Sequence, residues 1–362
     1  MGSGPPQTAP RASVWSKGDV VRYMEVSTLT HASCRFSWAA PGPLKGGPAA
    51  PCWRASAKAE APAHMDAPLA YLARRSPSLA DYDPPPAPAL ATSWTLQGSV
   101  PSALVVHGCS MVAVPSAAAD LFVDVLYPAG CRIIVLTGGV GRETPPLWRE
   151  LVDRGLTALF ADEPWARDEA PADVILRTQG GLTKPVLNRV DLEMPPNELR
   201  QYCAEADIFL EIVCSRCRER GLPLRFGGNP MSGEWSRPDG THPFIYIETA
   251  STHTGTNVTF SAATLELLGL SAPPSVVVVQ QPQLHMRTTL TWEKQTGVAP
   301  LAWTPRPTEA ALGRPLSELV KYAQGEFTRI PAYAAEGKAF CVLPADWESV
   351  GQAHKQAVEG ET

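Results

Sequence analysis

No stretch of the chain approaches the roughly 18 to 20 consecutive apolar residues that a membrane-spanning helix needs, and the N-terminus lacks the apolar core of a secretory signal. No membrane span is expected. Runs of Lys and Arg are missing too, and a net charge of -5 offers no cationic track for a phosphate backbone. Nucleic acid is therefore not an expected partner. There is neither a G-x-G-x-x-G turn opening a helix nor a Walker loop, so the two best-marked phosphate-binding turns are excluded. Cysteine is thin for a disulfide framework, with eight in 362 residues and no secretory signal. The close pair Cys214 and Cys217 falls late in a helical pattern that also holds Cys203. These three read as small core residues, and no metal site is expected. The absences together point to a cytoplasmic protein.

Proline is abundant instead. The 37 prolines are about twice the average share, and they gather before residue 100 and after residue 300. Residues 1–97 hold PPQTAP, AAPGPLKGGPAAP and DPPPAPAL with almost no helical or strand periodicity, which predicts a disordered or targeting extension rich in Pro and Ala. Up to His64 the segment carries Arg11, Lys17, Arg22, Arg35, Lys45, Arg54 and Lys58 against Asp19, Glu25 and Glu60. That balance resembles an organelle transit peptide, so an organelle is the alternative location, and Met65 is equally placed to be the start. An α/β domain is expected over residues 98–345, with a tail over 346–362. Deleting residues 1–97 is expected to leave a cooperatively folding domain.

From Pro101 short apolar runs alternate with helical stretches. Ala103–Gly108, Arg132–Gly139, Phe244–Glu248, Ser275–Gln280 and Lys338–Pro344 read as strands, most too uniformly apolar to be half-exposed. Helices are expected over Ser116–Tyr127, Asn197–Arg220, Thr256–Leu268, His285–Gln295 and Leu316–Ala335, from apolar spacing at i, i+3 and i+4. The alternation predicts a Rossmann-like three-layer α/β fold with a mainly parallel sheet, in which ligands bind beyond the C-terminal ends of the strands. The insertions Asp162–Pro196 and Arg225–His242 are expected to form a lid or rim there, and Thr304–Pro315 a surface loop.

The residues just past each apolar run are therefore the candidates for chemistry. His107 and Gly108 follow the first run, and the turn TGGVG, with Gly138 and Gly139, follows the second. Such glycines either make a tight turn or let backbone N–H groups approach an anion. Past the third comes ETASTHTGTNVTFS, crowded with Ser and Thr, in which Thr254 and Thr256 are placed to cap a helix. Capping and contact with a bound anion both fit those hydroxyls.

In order and spacing, TGGVGRETPPLW, Glu205-Ala206-Asp207, ETASTHTGTNVTFS and VVVVQQPQLHMRTTLTWEKQ resemble the motifs of the YdcF/SanA/ElyC family of α/β domains over about residues 101–345. TRIPAY with Gly337 resembles the tail of its soluble, non-membrane branch. Thr254 and Asn257 match family positions, while His253 stands where the family has Asn and Thr256 where it has Glu. The segment SMVAVPS has no Arg after the first Gly, where the family usually carries one. QLHMRTTL aligns in two registers: Arg287 matches an Arg in both, His285 its family position in one. The resemblance implies a small-molecule ligand, anionic or nucleotide-like, with S-adenosylmethionine or a phosphorylated metabolite as candidates. Gly108, Gly138, Gly139, Thr254, Asn257, His285 and Arg287 would bind it, Arg287 as an anion clamp. Glu205 would act as acceptor or general base, with His253 as a second catalytic candidate. Thr254 and Asn257 are expected to share one pocket with Gly138 and Gly139. A small-molecule enzyme and a binding protein without turnover both remain open.

Overall fold

The computed structural model describes residues 67–84, 99–154, 175–177, 183–185, 202–270, 275–335, 343, 346 and 347. Its strands are β1 (Ala103–His107), β2 (Ile133–Thr137), β3 (Ile175–Arg177), β4 (Thr183–Pro185), β5 (Arg225–Asn229), β6 (Glu234–Trp235), β7 (Phe244–Glu248), β8 (Val276–Val279) and β9 (Leu301–Trp303). The helices are α1 (Ala67–Leu72), α2 (Ala113–Leu121), α3 (Thr144–Asp153), α4 (Glu205–Glu219), α5 (Thr254–Leu267), α6 (Pro282–Thr296), α7 (Glu309–Leu312) and α8 (Leu316–Ala335). Helix α2 continues through a π-helical turn over Phe122–Leu126 and ends with Tyr127–Ala129.

Seven strands form one sheet in the order β6-β5-β7-β2-β1-β8-β9, and β3 and β4 pair separately as an antiparallel hairpin. Every neighbouring pair in the large sheet is parallel except β5 and β6. Strands such as VVVV and IIVLT are buried on both faces, because alternate residues feed opposite cores. Ala103, Val105, Ile133, Val135, Tyr246, Val276 and Val278 pack with Val258 and Leu265 of α5 and Trp292 of α6. Leu104, Val106, Ile134, Leu136, Ile245, Val277 and Val279 face the larger core with α2, α3, α4 and α8. The result is the expected three-layer α/β architecture. The chain passes from β1 to β2 on one side and later to β8 on the other, so the crevice of a doubly wound sheet opens beyond β1 and β8. Among the described residues no helix is long and apolar enough to cross a membrane.

The N-terminal boundary at residue 97 is corrected by the packing of residues 67–83. Leu69, Tyr71, Leu72, Leu79 and Tyr82 are buried in the larger core, and α1 lies against α6 and α8. The Ser76 amide donates to the Ala302 carbonyl and the Ala302 amide to Ser76 Oγ, each at 2.8 Å, so this segment covers the open edge of β9. The Tyr82 hydroxyl donates to Asp124 Oδ2 at 2.8 Å, joining a buried network in which Arg220 bridges Asp120 and Asp124. Only five apolar side chains spread over a Pro- and Ala-rich background make these contacts, too few for periodicity to register. The boundary at residue 345 moves as well, because Trp347 is buried and stacks on Phe327 with ring centroids 5.2 Å apart.

Other expectations shift with it. Arg225–His242 contributes β5 and β6 to the sheet rather than forming a rim. Of Asp162–Pro196 only β3 and β4 are described. Helix α4 begins at Glu205, while Asn197–Gln201 lie outside the described residues. The Lys338–Pro344 strand also lies outside them, apart from Leu343, which is not in a strand. The segment Thr304–Pro315 is not wholly loop, since it contains α7. Strand β9 was hidden by its three-residue length.

A chain beginning at Met65 should melt at a clearly higher temperature than one beginning at residue 98, and Leu72→Ala should cost about 2–5 kcal/mol in urea unfolding. Equal melting temperatures for the two truncations would show that residues 67–83 do not belong to the core.

Candidate functional site

The turn after β2 is the point where three segments meet. The Gly138 amide donates to the Glu248 carbonyl at 3.1 Å and the Gly139 amide to the Ser251 carbonyl at 2.7 Å, tying the β2 end to the β7 end. The carbonyls of the same turn accept from the first amides of α4, Glu205 N to Gly139 O at 3.2 Å and Ala206 N to Gly138 O at 2.9 Å. The glycine turn thus caps α4, satisfying donors that every helix start leaves unpaired. At the same helix start the Asp207 carboxylate reaches back to the Ala204 amide at 3.0 Å. Glycine is required here by crowding: a Cβ on Gly139 would collide with the Ser251 carbonyl oxygen, and one on Gly108 with Glu205 Oε2. These amides were expected to cradle an anion, and they are already engaged inside the protein.

Glu205, the first residue of α4, is almost fully buried. Its Oε1 accepts from Thr144 Oγ1 at 3.0 Å, and Thr144 Oγ1 in turn accepts from the Gly141 amide at 2.9 Å. Oε2 accepts no hydrogen bond from the described residues and lies against Gly108 and Gly138. Burial pushes this carboxyl well above the usual range, the neighbouring Glu143 adds to the rise, and the Thr144 hydrogen bond opposes it. An acid held this way exchanges protons nearer neutrality than an exposed glutamate, the property a general acid or base needs.

Beside it, a row of polar residues ends the strands in register: His107 on β1 opposite Thr137 on β2, and Thr137 opposite Glu248 on β7. Glu248 is fully buried and saturated, accepting from Thr137 Oγ1 at 2.7 Å and from the Ala250 and Ser251 amides at 2.5 and 3.0 Å. Burial raises its pKa, while these three hydrogen bonds and the Ser251 side chain hold it down. His107 sits edge-on to Trp292, with ring centroids 6.1 Å apart, and neither ring nitrogen has a partner. Burial pushes His107 down to about 3, with His285 adding to the shift. His285 is likewise pushed to about 3 by burial, with the Arg74 carbonyl facing it and the Arg75 guanidinium opposing its charge.

Gly108, Gly138, Gly139 and Glu205 come together as one cluster, and Gly139 and Gly141 touch the turn that leads into α5. That turn spends most of its hydroxyls internally. His253 is the N-cap of α5: its Nδ1 accepts from the Thr256 amide at 3.2 Å, and Thr256 Oγ1 accepts from the Thr252 and His253 amides at 3.1 and 3.2 Å. Thr254 is the first helical residue and does not cap, a correction to the expected capping pair. Asn257 is buried with its Oδ1 unpartnered. On α6, His285 lies within electrostatic reach of His107. Arg287, expected as an anion clamp, faces the fully buried Glu326 of α8 at 3.3 Å, so its charge is met inside the fold. Thr144, Glu248 and Gln280, whose Nε2 donates to the Gly108 carbonyl at 3.1 Å, were not singled out as site residues. The position of Thr144 three residues past Gly141 was the signal available for it. Among the described residues no group of three or more His, Cys, Asp or Glu is arranged to hold a metal ion.

No protein-family model matches the chain, and no curated protein matches it.

Gly139→Ala should destabilise the fold by about 1–3 kcal/mol through overpacking. Gly141→Ala is the control, because its added Cβ would meet nothing closer than 3.5 Å. Equal denaturation midpoints for the two variants would contradict the crowding. Burial pushes His107 and His285 down to about 3, below the ordinary histidine value of 6.5. Their contribution is therefore fully present above pH 6.5 and is lost as pH falls toward about 3. His107→Asn should flatten that acid limb in urea melts, and an unchanged slope would show that His107 titrates normally.

Proposed function

We propose that the C-terminal edge of the sheet around Glu205 binds a small nucleotide-like molecule, and that the chain is a small-molecule enzyme in which Glu205 exchanges a proton with its substrate. The observation that carries this reading is the Glu205 carboxyl itself. It is buried, held by Thr144 through one oxygen, without a hydrogen bond from the described residues at the other, and pushed well above the usual carboxylate range. Structural acids are more often saturated, as Glu248 is by Thr137 and two backbone amides. The resemblance to the YdcF/SanA/ElyC family supports the same place, since its glycine turn and its Glu-Ala motif are the segments that meet at Glu205. Through that resemblance S-adenosylmethionine heads the candidate ligands. Asn257, with its unpartnered Oδ1 at the start of α5, is the polar contact assigned to the ligand from that side.

A second reading, a binding protein without turnover, is favoured by the roles of two other residues. His253 is engaged as a helix cap and Arg287 faces Glu326, which leaves Glu205 without either expected assistant.

Thermal-shift measurements with S-adenosylmethionine, nucleotides and sugar phosphates should reveal one stabilising class, a ligand at a hundred times its Kd adding about 2.7 kcal/mol. With that ligand as substrate, Glu205→Gln should cut turnover by about 10²–10⁴-fold. A ligand that binds and is never converted selects the second reading, and stabilisation by none of the classes removes both.

A further inference from the structure

The Glu205 carboxyl is roofed by the residues that follow β1. Residues 108–112 are all buried, and Gly108 lies so close that a Cβ there would stand 2.2 Å from Glu205 Oε2. A loop keeps such a position only when both its ends are tied. Gln280 ties the first, its Nε2 donating to the Gly108 carbonyl at 3.1 Å. The second is tied to Glu150 of α3, whose Oε1 accepts from the Val112 amide at 3.2 Å.

Glu150 does not hold the loop alone. Arg314, just before α8, donates through Nε and Nη2 to Glu150 Oε2 at 3.0 and 2.7 Å, and through Nη2 also to the Ser110 carbonyl. One guanidinium thus grips the α3 carboxylate and the loop backbone together. Its Nη1 reaches Glu318 of α8 at 3.1 Å. Arg154 closes the other side, donating to Glu150 Oε1 at 2.8 Å and to the Leu312 carbonyl at 2.7 Å. The Arg314 and Glu150 side chains are only 15% and 9% exposed, so water competes little for these charge-assisted bonds. The buried Cys109 thiol is within electrostatic reach of both Arg314 and Glu205, which puts the grip one side chain away from the acid.

We propose that Arg314 is a positioning residue for Glu205: by gripping Glu150 and the Ser110 carbonyl together, it presses residues 108–112 over the carboxyl and keeps water from it. This rests on the Glu205 site proposed above and adds how the fold sets the proton affinity of its acid. Two effects of Arg314 on Glu205 have opposite signs. As a bare cation it would favour the carboxylate and lower the pKa, whereas as the holder of the roof it excludes water and raises it. Burial is the leading cause of the Glu205 shift, the charged neighbour that contributes is Glu143, and Arg314 is not among the causes, so the second effect decides. The other groups facing Glu205 are the Thr144 hydroxyl and the Cys109 thiol, both uncharged, since burial keeps the thiol protonated.

Carbon-13 titration of the Glu205 carboxyl in the full chain, unmutated and as Arg314→Gln and Arg314→Lys, separates the two effects. The midpoint should fall by about one pH unit or more in Arg314→Gln, as the roof loosens and water reaches the acid. Arg314→Lys keeps the charge and loses the two-pronged grip, so its midpoint should lie between those of the unmutated chain and Arg314→Gln. Leu265→Ala, which opens a cavity in the core on the opposite face of the sheet, should leave the midpoint in place. An unchanged or raised midpoint in Arg314→Gln, or an equal fall in Leu265→Ala, would overturn the inference and leave the Glu205 site standing. Should Arg314→Gln fail to fold, Arg314→Lys decides: a fall supports the grip, and an unchanged or raised midpoint overturns it. A midpoint at the ordinary glutamate value of 4.5 in the unmutated chain would remove the site itself, and the inference with it.

Discussion

Gly138 and Gly139 bring the ends of β2 and β7 and the start of α4 within hydrogen-bonding distance of one another, and the candidate site depends on that approach. Their amides hold the β7 turn and their carbonyls hold the helix, so both halves of each peptide are engaged. A side chain at Gly139 would meet the Ser251 and Thr249 carbonyls, and one at Gly138 would meet Gly108 Cα and the Glu205 side chain, so either would push the three segments apart. Once the segments are locked, Glu205 has nowhere to project except along Gly108 and toward Thr144. A carboxyl is thereby carried from the first residue of a helix into the end of a parallel sheet. Its depth follows from close backbone packing, and its raised pKa follows from the depth.

The same constraint divides the acidic residues by role. Glu248 is pinned by a hydroxyl and two amides, which makes it part of the scaffold. Glu205 receives one hydroxyl, and its other oxygen accepts no hydrogen bond from the described residues. The basic residues behave differently again. Arg220 and Arg216 neutralise Asp120 and Asp124 on the far side of α4, and Arg314 joins Glu150 to the Ser110 carbonyl, fixing the loop after β1. Compensated charge therefore braces the helices, while the Glu205 carboxyl at the end of the sheet has an acid, Glu143, as its charged neighbour.

Much of this was legible in the chain. The runs ALVV, IIVL, FIYI and VVVV are apolar on both faces, and only a parallel sheet covered on both sides accommodates them. The strand-end rule then leads to Gly108, Gly138 and the turn before Asn257, which do lie along one edge. Contacts between residues remote in sequence were less visible. Leu69 and Leu72 reach the core from a Pro- and Ala-rich background, and nothing local announces that the partners of their helix are α6 and α8. Arg287 matches a clamp by motif, yet its partner Glu326 is fixed only when α8 folds against α6. The glycine turn looked like an anion cradle because spacing reports backbone freedom and is silent on which carbonyls take the amides.

A carbon-13 NMR titration of the side-chain carboxyl groups, with the Glu205 resonance assigned by its loss in Glu205→Gln, measures the central claim directly. Glu205 is expected to titrate well above the ordinary glutamate value of 4.5. A midpoint at or below that value would mean that the carboxyl is solvated or paired with a cation, and the proton-exchanging site would not exist.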